Sequence, residues 1–414
     1  MKRDSPDLEK GGMVMPKKMP NLPRLVRHAF LGALAVLMGA LLAGCWDRTE
    51  IEDLTIILSA AFDKAKEGGV QVSLEVFVPK SGGGEDQAST GSGGEKGGDT
   101  THFSASGSTV GEALYNLQNN VPRYIFWGHA EIYFISQDLA REGLLEHIDF
   151  LLRFQTPRLH AFVFLTEGKA SDFLQFKTML HENVAAMFKD LARSRRALGV
   201  SMLEAAQRLY GESKAAYAPL VAWSPNHLGG EVPSVVGMGV LSKDRYVGRL
   251  SEKETEGLMW LRGENKRLYV SYCDAPKECL SLRVRRNLVD TTPYWDGKKL
   301  TMRIRITANA DVVQNNSRFD IMDMPQNEKA ERELEKQIIE TVQQAVRATQ
   351  EKWQTDIFDF AEKVHRKYPK EWNAFMEKEW SRIYSKMVLE TSVSLNIARP
   401  GSATSPMKKK VGED

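Results

Sequence analysis

Residues 51–61, IEDLTIILSAA, and residues 70–78, VQVSLEVFV, determine the fold class expected for this chain. The first stretch is largely apolar and contains β-branched residues. The second alternates apolar and polar residues with a period of two, which places them on opposite faces of a β-strand. Gly68 and Gly69 lie between the two stretches and indicate a turn. The sequence therefore predicts two adjacent strands near the start of the folded region.

Strand and helix patterns alternate in the residues that follow. Residues 101–106 predict a short strand, and Thr109 and Glu112 have the spacing of a capping box that opens a helix. The elements expected next are a strand over 125–135, an amphipathic helix over 138–154, a strand over 159–165, and helices joined by loops over 170–210. This alternation predicts an N-terminal α/β domain over residues 45–219.

Residues 81–99, SGGGEDQASTGSGGEKGGD, are rich in glycine and serine and have no apolar periodicity. Glycine-rich stretches can bind phosphate when they join a strand to a helix in the order GxxxxGK[ST]. That order is absent here, and no strand leads directly into a helix. The stretch therefore predicts a flexible loop within the first domain.

Two further domains are expected after residue 219. The middle one, over residues 220–275, has a β-β-α-β pattern in which Ser251 and Glu254 form a capping box. Its elements are a hairpin over 232–241 and 245–250, a helix over 251–260 and a strand over 268–273. The whole chain is thus predicted as an α/β (α+β) protein of three successive domains, each a β-sheet packed by α-helices.

The C-terminal domain is expected over residues 276–399, followed by a flexible tail over 400–414. Asp296 and Gly297 indicate a tight turn between its first two strands. Its predicted elements are strands over 280–288 and 299–309, one long helix over 327–366 that ends before Pro369, a second helix with Trp372, Phe375 and Trp380, and a strand over 387–397.

The charge of the chain is unevenly distributed. The 414 residues carry a formal net charge of +2, but residues 1–44 hold seven basic and three acidic side chains, which leaves −2 on the remainder. Binding to nucleic acid needs a concentrated basic surface that neutralises phosphates. The composition therefore argues against a nucleic-acid partner and assigns the basic character to the N-terminal leader.

The leader has the pattern of a secretory signal peptide over residues 1–44. Its apolar run, residues 29–42, would span roughly 21 Å as a helix, which is short of the ~30 Å hydrocarbon core of a bilayer. A basic segment precedes this run and small residues follow it. We therefore expect a cleaved signal rather than a permanent transmembrane helix.

Cys45 is the expected site of lipid attachment. Leu42, Ala43, Gly44 and Cys45 resemble the bacterial lipobox, in which the cysteine carries S-diacylglycerol and an N-acyl chain after cleavage. Several acyl chains hold a protein on a membrane far more firmly than one chain does. The alternative is a lone cysteine after an ordinary signal. The lipobox predicts a protein tethered to the cell membrane on its extracytoplasmic face.

Few residues in the chain indicate catalysis. His129 could be tuned as a base by Glu131, but a structural histidine is the interpretation that the strand pattern favours. His181 and Glu182 do not continue to the HExxH zinc motif, because Ala185 stands where the second histidine is required. We therefore predict no catalytic residues, no metal site and no cofactor other than the covalent lipid.

Cys273 and Cys279 are the other two cysteines of the chain. An extracytoplasmic location permits a disulfide between them across the intervening DAPKE loop. Two unpaired thiols are equally compatible with the sequence. Neither state implies catalysis.

Several stretches resemble the Ger(x)C family of spore germination lipoproteins, the C subunits of germinant receptors. The likeness begins in GCWDRTEIEDL at residues 44–54, continues in GHAE at 128–131, LAREGL at 139–144 and IDFLLRFQTPR at 148–158, and extends through GMGVLSKDRYVGRLSEKETEGLMWLRG at 237–263 and TDIFDFAEKVHRKYPKEW at 355–372. The acidic residue that the family usually carries after Arg153 is replaced by Phe154. The likeness otherwise covers nearly the whole mature chain.

The resemblance implies both a fold and a role. It implies three α/β domains and a non-enzymatic lipoprotein on the inner membrane of the spore, where two integral membrane subunits, of A and B type, would be its partners. The receptor responds to small nutrient germinants, and this subunit is expected to act as a scaffold or signal relay. The alternative function is an extracytoplasmic solute-binding lipoprotein of a transporter, which would require two similar lobes.

Overall fold

The computed structural model describes residues 24–42, 50–78, 99–154, 156–178, 181–194, 199–226, 229–263 and 268–399. The chain divides into two compact units, Met1–Asp53 and Leu54–Asp414. The first unit contains helix α1, Arg24–Leu42, and a short 3-10 helix, Ile51–Asp53. Within the described ranges, no helix combines the length and the apolar character that crossing a bilayer requires. The paragraphs that follow concern the second unit.

The described residues of the second unit form two β-sheets, of which the first has nine strands. Its strands are β1 Leu54–Lys64, β2 Val70–Val78, β3 Asp99–Gly107, β4 Tyr124–Phe126, β5 Ile132–Ser136, β6 Phe162–Thr166, β7 Ala215–Pro225, β8 Glu231–Ser242 and β9 Arg245–Leu250. The spatial order is β3-β2-β1-β5-β6-β7-β8-β9, and β4 pairs with β1. Neighbours among β1, β5, β6 and β7 run parallel, and antiparallel hairpins extend the sheet on both sides.

Helices cover both faces of the first sheet. They are α2 Val110–Asn120, α3 Gln137–Glu142, α4 Leu145–Arg153, α5 Ala170–Leu174, α6 Val184–Arg193 and α7 Met202–Tyr210. Tyr133 of β5 packs into the core with α2, α3, α4 and α7, whereas its neighbour Phe134 packs into a second core with α5 and α6. Successive strand residues point to opposite faces, so both are buried.

The second sheet has four strands in the described part of the chain, in the order β10-β11-β12-β13. These are β10 Tyr269–Ala275, β11 Glu278–Trp295, β12 Leu300–Asn315 and β13 Val388–Arg399, and the associated helices are α8 Glu252–Arg262, α9 Met324–Lys352, α10 Phe360–Lys367, α11 Pro369–Glu371 and α12 Trp380–Lys386. A five-residue π-helix, Trp372–Met376, follows α11. The last strand pair, β12 with β13, is parallel.

Helix α9 lies on one face of the second sheet and also protects its edge. Leu334, Ile338 and Val342 share a core with the inward side chains of the sheet. The backbone N–H groups of Leu395 and Ile397 on the edge strand β13 donate to the carboxylates of Glu335 and Glu331 of α9. Occupied edge donors give another strand fewer groups with which to pair.

Both sheets contribute to one continuous core. Tyr217, Met238 and Leu250 from β7, β8 and β9 lie in the same buried cluster as Trp260 of α8 and Ile306 of β12. Gly248 of β9, with φ +157°, leaves room for the indole of Trp353, because a Cβ at this position would lie 2.5 Å from the ring. We call the contact region between the two sheets the joint.

The mixed α/β class predicted from the sequence is confirmed. The predicted domain bounds stay a prediction, and the strands over residues 220–275 are divided between the two sheets. The predicted boundary at residue 219 falls inside β7, and strands β8 and β9 extend the first sheet. Strand β10 pairs instead with β11 in the second sheet. Among the described residues, 220–275 therefore form no sheet of their own. The hairpin was recognised correctly, but strand pairing between distant segments is not visible in local sequence.

Three predicted elements are interrupted. The helix expected over 138–154 is two helices, since Gly143 adopts φ +133°, a conformation that L side chains rarely take. The strand expected over 125–135 is β4 and β5 with a turn over 127–131. The helix expected over 327–366 ends at Lys352 and resumes at Phe360, with left-handed Gln354 and Asp359 between.

Candidate functional site

A cavity of about 400 Å³ lies at the joint. It is lined by residues of α7, β7, α8 and β11 and by the chain that enters α10, so both sheets contribute to its wall. Its apolar lining includes Leu258, Ile357, Phe358 and Phe360. The volume falls in the range of small-molecule sites, which are mostly apolar with a few polar groups that fix orientation.

Two guanidinium groups lie over the ring of Tyr217 inside this cavity. The Cζ atom of Arg208 is 4.8 Å from the ring centroid, and that of Arg262 is 5.8 Å from it. Tyr217 is fully buried, and this burial raises the pKa of its phenol, although the two cations lower it. The phenol therefore stays neutral and offers its aromatic face to both arginines.

Each of these arginines forms an ion pair that joins separate elements. Arg208 Nη1 on α7 lies 2.5 Å from Asp359 Oδ1, just before α10, and Arg262 Nη2 at the end of α8 lies 2.8 Å from Glu204 Oε1 on α7. Burial lowers the pKa of the Arg208 guanidinium, but the interactions with Tyr217 and Asp359 raise it by more. The net pKa is therefore raised, and the guanidinium remains charged. The pairs therefore tie α7 to α8 and α10.

A second set of contacts crosses the joint beside the cavity. The carboxylate of Glu362 on α10 accepts hydrogen bonds from the backbone N–H groups of Glu212 and Ser213, at 3.1 and 3.4 Å. His365 Nδ1 lies 2.8 Å from Glu212 Oε1. Burial raises the pKa of Glu362. The loop between α7 and β7 is therefore held by side chains from α10.

Asp356 fixes the segment that presents Asp359 to the cavity. Its carboxylate oxygens accept hydrogen bonds from the N–H groups of Phe358, just before α10, at 3.0 Å and of Ala361, in the first turn of α10, at 2.8 Å. Asp356 is 1% exposed, and burial raises its pKa to about 7, although the two N–H groups lower it.

The sequence did not identify this arrangement, because apolar residues keep helical spacing across the gap at 353–359. Ile357, Phe360 and Val364 recur every three or four residues, so they predicted one continuous helix. Thr355 and Asp356, which belong to the residue types that cap helices, were the available signal for a new helix start.

The histidines singled out from the sequence lie elsewhere. Glu131 Oε1 is 2.7 Å from Lys189 Nζ and 3.8 Å from Arg158 Nη1, while His129 lies in the preceding turn with its ring 6.0 Å from that of Phe126. His181 Nε2 lies 3.4 Å from Asp190 Oδ2. The carboxylate of Glu131 is thus engaged by two cations. In the described part of the chain, no three His, Cys, Asp or Glu residues are grouped to hold a metal ion.

The cysteines fall into two cases. Cys45 lies outside the described residues, so its lipid attachment stays a prediction. Cys273 and Cys279 are joined by a disulfide, and they face each other directly across the antiparallel pair of β10 and β11 with Cα atoms 4.0 Å apart. This is the pairing that the sequence left open. It closes the hairpin of β10 and β11, and neither cysteine lines the cavity.

Two family models match the chain in succession. The spore germination protein N-terminal domain matches residues 47–222, and the C-terminal domain of spore germination B3/GerAC-like proteins matches residues 236–401. Together they cover most of the chain. The chain therefore belongs to the GerAC-like, or Ger(x)C, family of spore germination proteins, which confirms the resemblance found in its sequence.

Curated relatives and a solved structure agree with this assignment. The putative spore germination protein YfkR of Bacillus subtilis (strain 168) is 28% identical, covering 89% of this chain and 96% of the relative. Spore germination protein KC of the same organism is 23% identical, covering 94% and 100%. The crystal structure of the GerBC protein matches with a TM-score of 0.52 at 17% identity, covering 82% of this chain and 97% of that one. The structural match supports the fold.

Proposed function

We propose that this chain is the lipid-anchored subunit of a spore germinant receptor and acts with two integral membrane subunits, of A and B type, in the response to small nutrient germinants. The observation that carries the proposal is the ordered match of both family domains over residues 47–401. Relatives over nearly the whole length are named as spore germination proteins, which supports the same role.

Within that receptor we propose a scaffold or signal-relay role rather than enzymatic catalysis, with no cofactor besides the lipid. The buried contacts at the joint support a relay. The ion pair of Arg208 with Asp359, and the hydrogen bond from Glu212 to Glu362, connect elements packed on the first sheet to α10 of the second-sheet region. A displacement of one sheet would be transmitted to the other through these contacts, because packed interfaces move as units rather than deform continuously.

The alternative, a solute-binding lipoprotein of a transporter, is less well supported. Such a protein needs two similar lobes that close on a ligand. The described residues instead form one sheet of nine strands and another of four, and the order of strands differs between them. We therefore retain the receptor subunit as the proposed function.

Cys45→Ala in the native spore-forming host tests the anchor. We propose that Cys45 carries the lipid and holds the chain on the extracytoplasmic face of the inner spore membrane. The variant should then move from the membrane fraction to the soluble fraction, and the spores should germinate more slowly with the cognate germinant. Removing the acyl chains removes about 0.8 kcal/mol of membrane affinity per buried CH₂ group. Immunoblots of fractionated spores and the loss of optical density on germination measure both effects.

The double variant Cys273→Ala, Cys279→Ala is the matched control. It removes the other two cysteines of the chain, which form the disulfide, and keeps Cys45. It should remain in the membrane fraction. If the Cys45→Ala chain fractionates like the unaltered chain, the lipid anchor is wrong. Co-purification of the tagged chain with two polytopic membrane proteins would support the receptor assignment, and their absence from a cross-linked membrane extract would contradict it.

A further inference from the structure

The cavity at the joint contains polar groups that the protein itself does not satisfy. Asn287 of β11 is 4% exposed and lines the cavity. Its Nδ2 atom donates to the backbone oxygen of Trp260 at 2.8 Å, which fixes which end of the amide is the oxygen. Oδ1 has no hydrogen-bond partner among the described atoms. A buried acceptor without a donor is costly, so this oxygen marks a position where a ligand donor would be stabilised.

Lys363 supplies a cation without a carboxylate partner among the described residues. It lies on α10, lines the same cavity and is half-buried. Arg208 and Arg262 are each paired with a carboxylate, whereas no carboxylate among the described residues lies within ion-pair distance of Lys363. The lining thus holds three cations and the two carboxylates of Glu204 and Asp359. One positive charge is left over, which favours an anionic ligand.

We propose that this cavity binds a small organic carboxylate that also carries a hydrogen-bond donor, either a hydroxyl or an ammonium group. The carboxylate would pair with Lys363, the donor would meet Asn287 Oδ1, and an apolar body would pack against Leu258 and Ile357. The proposal rests on the cavity and not on the receptor assignment. Because α10 and β11 belong to the second-sheet region and Tyr217 to the first sheet, the bound ligand would contact both sides of the joint.

Four probes with the same isobutyl body separate the required groups. L-2-hydroxyisocaproate and L-leucine carry the carboxylate and a donor, 4-methylpentanoate carries the carboxylate alone, and L-leucinol lacks the carboxylate. Each is titrated into the full chain in detergent micelles, and binding is followed by saturation-transfer NMR. L-2-hydroxyisocaproate should bind about tenfold more tightly than 4-methylpentanoate, since its hydroxyl satisfies the buried acceptor. L-Leucinol should bind least.

Two variants assign the contacts to residues. In Asn287→Leu the preference for L-2-hydroxyisocaproate over 4-methylpentanoate should fall to about one. Both probes are measured on the same variant, so a general loss of stability cannot produce that result. Lys363→Met should weaken L-2-hydroxyisocaproate and 4-methylpentanoate about tenfold or more, and it should not weaken L-leucinol, which has an ammonium group and no carboxylate. Lys370→Met, which removes the same charge from an exposed position outside the cavity, should change neither.

Several results would overturn the proposal. Failure of all four probes to bind the unaltered chain at 10 mM (about 2.7 kcal/mol of affinity or less) would exclude a site of this chemistry. Equal affinity of the unaltered chain for 4-methylpentanoate and L-2-hydroxyisocaproate would contradict the proposed hydrogen bond from the ligand to Asn287 Oδ1. Equal losses of carboxylate affinity in Lys363→Met and Lys370→Met would mean that the probes respond to the net charge of the protein and not to Lys363 in the cavity. Each of these outcomes leaves the receptor assignment intact, since that assignment is tested through Cys45 and the membrane partners.

Discussion

Neighbouring residues on β5 of the first sheet are both buried, whereas neighbouring residues on β12 of the second sheet alternate. Tyr133 and Phe134 are both fully buried, but Ile306 is buried and Thr307 is exposed. The first sheet has helices on both faces, and within the described residues the second sheet has α9 on one face only. The difference follows sheet type, because central parallel strands are covered on both faces, whereas a sheet built largely of antiparallel pairs, as the second one is, can leave one face to solvent.

The exposed face of the second sheet carries charged side chains beside the exposed Leu288 and Tyr294 of β11. Arg303 and Arg305 of β12 lie on it, and Arg303 Nε is 2.8 Å from Glu390 Oε2 of β13. Cross-strand pairs of this kind contribute little to stability when they are exposed. The comparison therefore predicts that the second sheet tolerates substitutions on its outer face, whereas the central strands of the first sheet tolerate substitutions on neither face.

The largest effect is expected from Phe134→Ala in the first sheet. The Phe134 ring lies 4.7 Å from that of Phe188 and 5.9 Å from that of Phe164, in the core under α5 and α6. Removing it leaves a cavity and should lower the free energy of unfolding by about 3–5 kcal/mol. Urea unfolding of the full chain in detergent, followed by circular dichroism, measures the change.

Phe77→Ala is the matched control, since Phe77 at the end of β2 is 38% exposed. It should cost much less than Phe134→Ala. Tyr133→Ala, on the opposite face of the same strand, should be as damaging as Phe134→Ala. A small loss from either buried position would contradict the claim that both faces of this sheet are covered.

The second sheet should show a large difference between two adjacent positions. Ile306→Ala removes a fully buried side chain and should cost about 2–5 kcal/mol. Thr307→Ala, on the exposed face, should stay within about 0.5 kcal/mol. The same unfolding measurement gives both values. Equal losses at both positions would mean that the outer face is covered in the protein, by a partner or by another part of the chain.

A smaller and pH-dependent effect is expected from Asp356 at the joint. Its pKa is raised to about 7 in the fold, so the folded state holds the proton more tightly than the unfolded chain does. The stability that this proton contributes is fully present below the ordinary aspartate pKa of about 4 and is lost as the pH rises to 7. The unaltered chain should therefore lose stability relative to Asp356→Asn by about 1.4 kcal/mol per pH unit over this window.

Unfolding free energies of both chains, measured from pH 4 to pH 8, test this expectation. Asp290→Asn, at an exposed position on β11, is the control and should track the unaltered chain. A constant difference between Asp356→Asn and the unaltered chain across the window would show that the carboxyl does not titrate there. Glu75, the buried carboxylate of the first sheet, also has a raised pKa because of burial and should shift stability in the same direction.

Glu75 and Asp356 show how similar chemistry serves both sheets. Glu75 is fully buried, and its carboxylate accepts a hydrogen bond from Ser59 Oγ at 2.5 Å and from the N–H of Val184 at the start of α6 at 3.2 Å. Asp356 likewise accepts a hydrogen bond from the N–H of Ala361 in the first turn of α10. In each case a helix N-terminus compensates part of the cost of burying a negative charge. Only the second case lies beside the cavity.

Local patterns predicted many elements but not their interruptions. The hairpin of β8 and β9 and the capping box of Ser251 and Glu254 were correct, because turns and caps depend on residues close in sequence. The breaks at Gly143 and at 353–359 were missed, since apolar periodicity continued through them. The sequence did not decide whether Cys273 and Cys279 are bonded. The strand register places the two residues opposite each other, and they form a disulfide.

The sequence by itself determined the α/β class, the family likeness, and the expected signal peptide and lipidation site at Cys45, because these depend on periodicity and short contiguous motifs. Only the tertiary structure decided that there are two sheets in the described chain and that Arg208, Asn287 and Lys363 surround one cavity. These three residues come from α7, β11 and α10, far apart in sequence, and their proximity follows from long-range strand pairing and the shared core. Local propensity carries no information on such distant contacts.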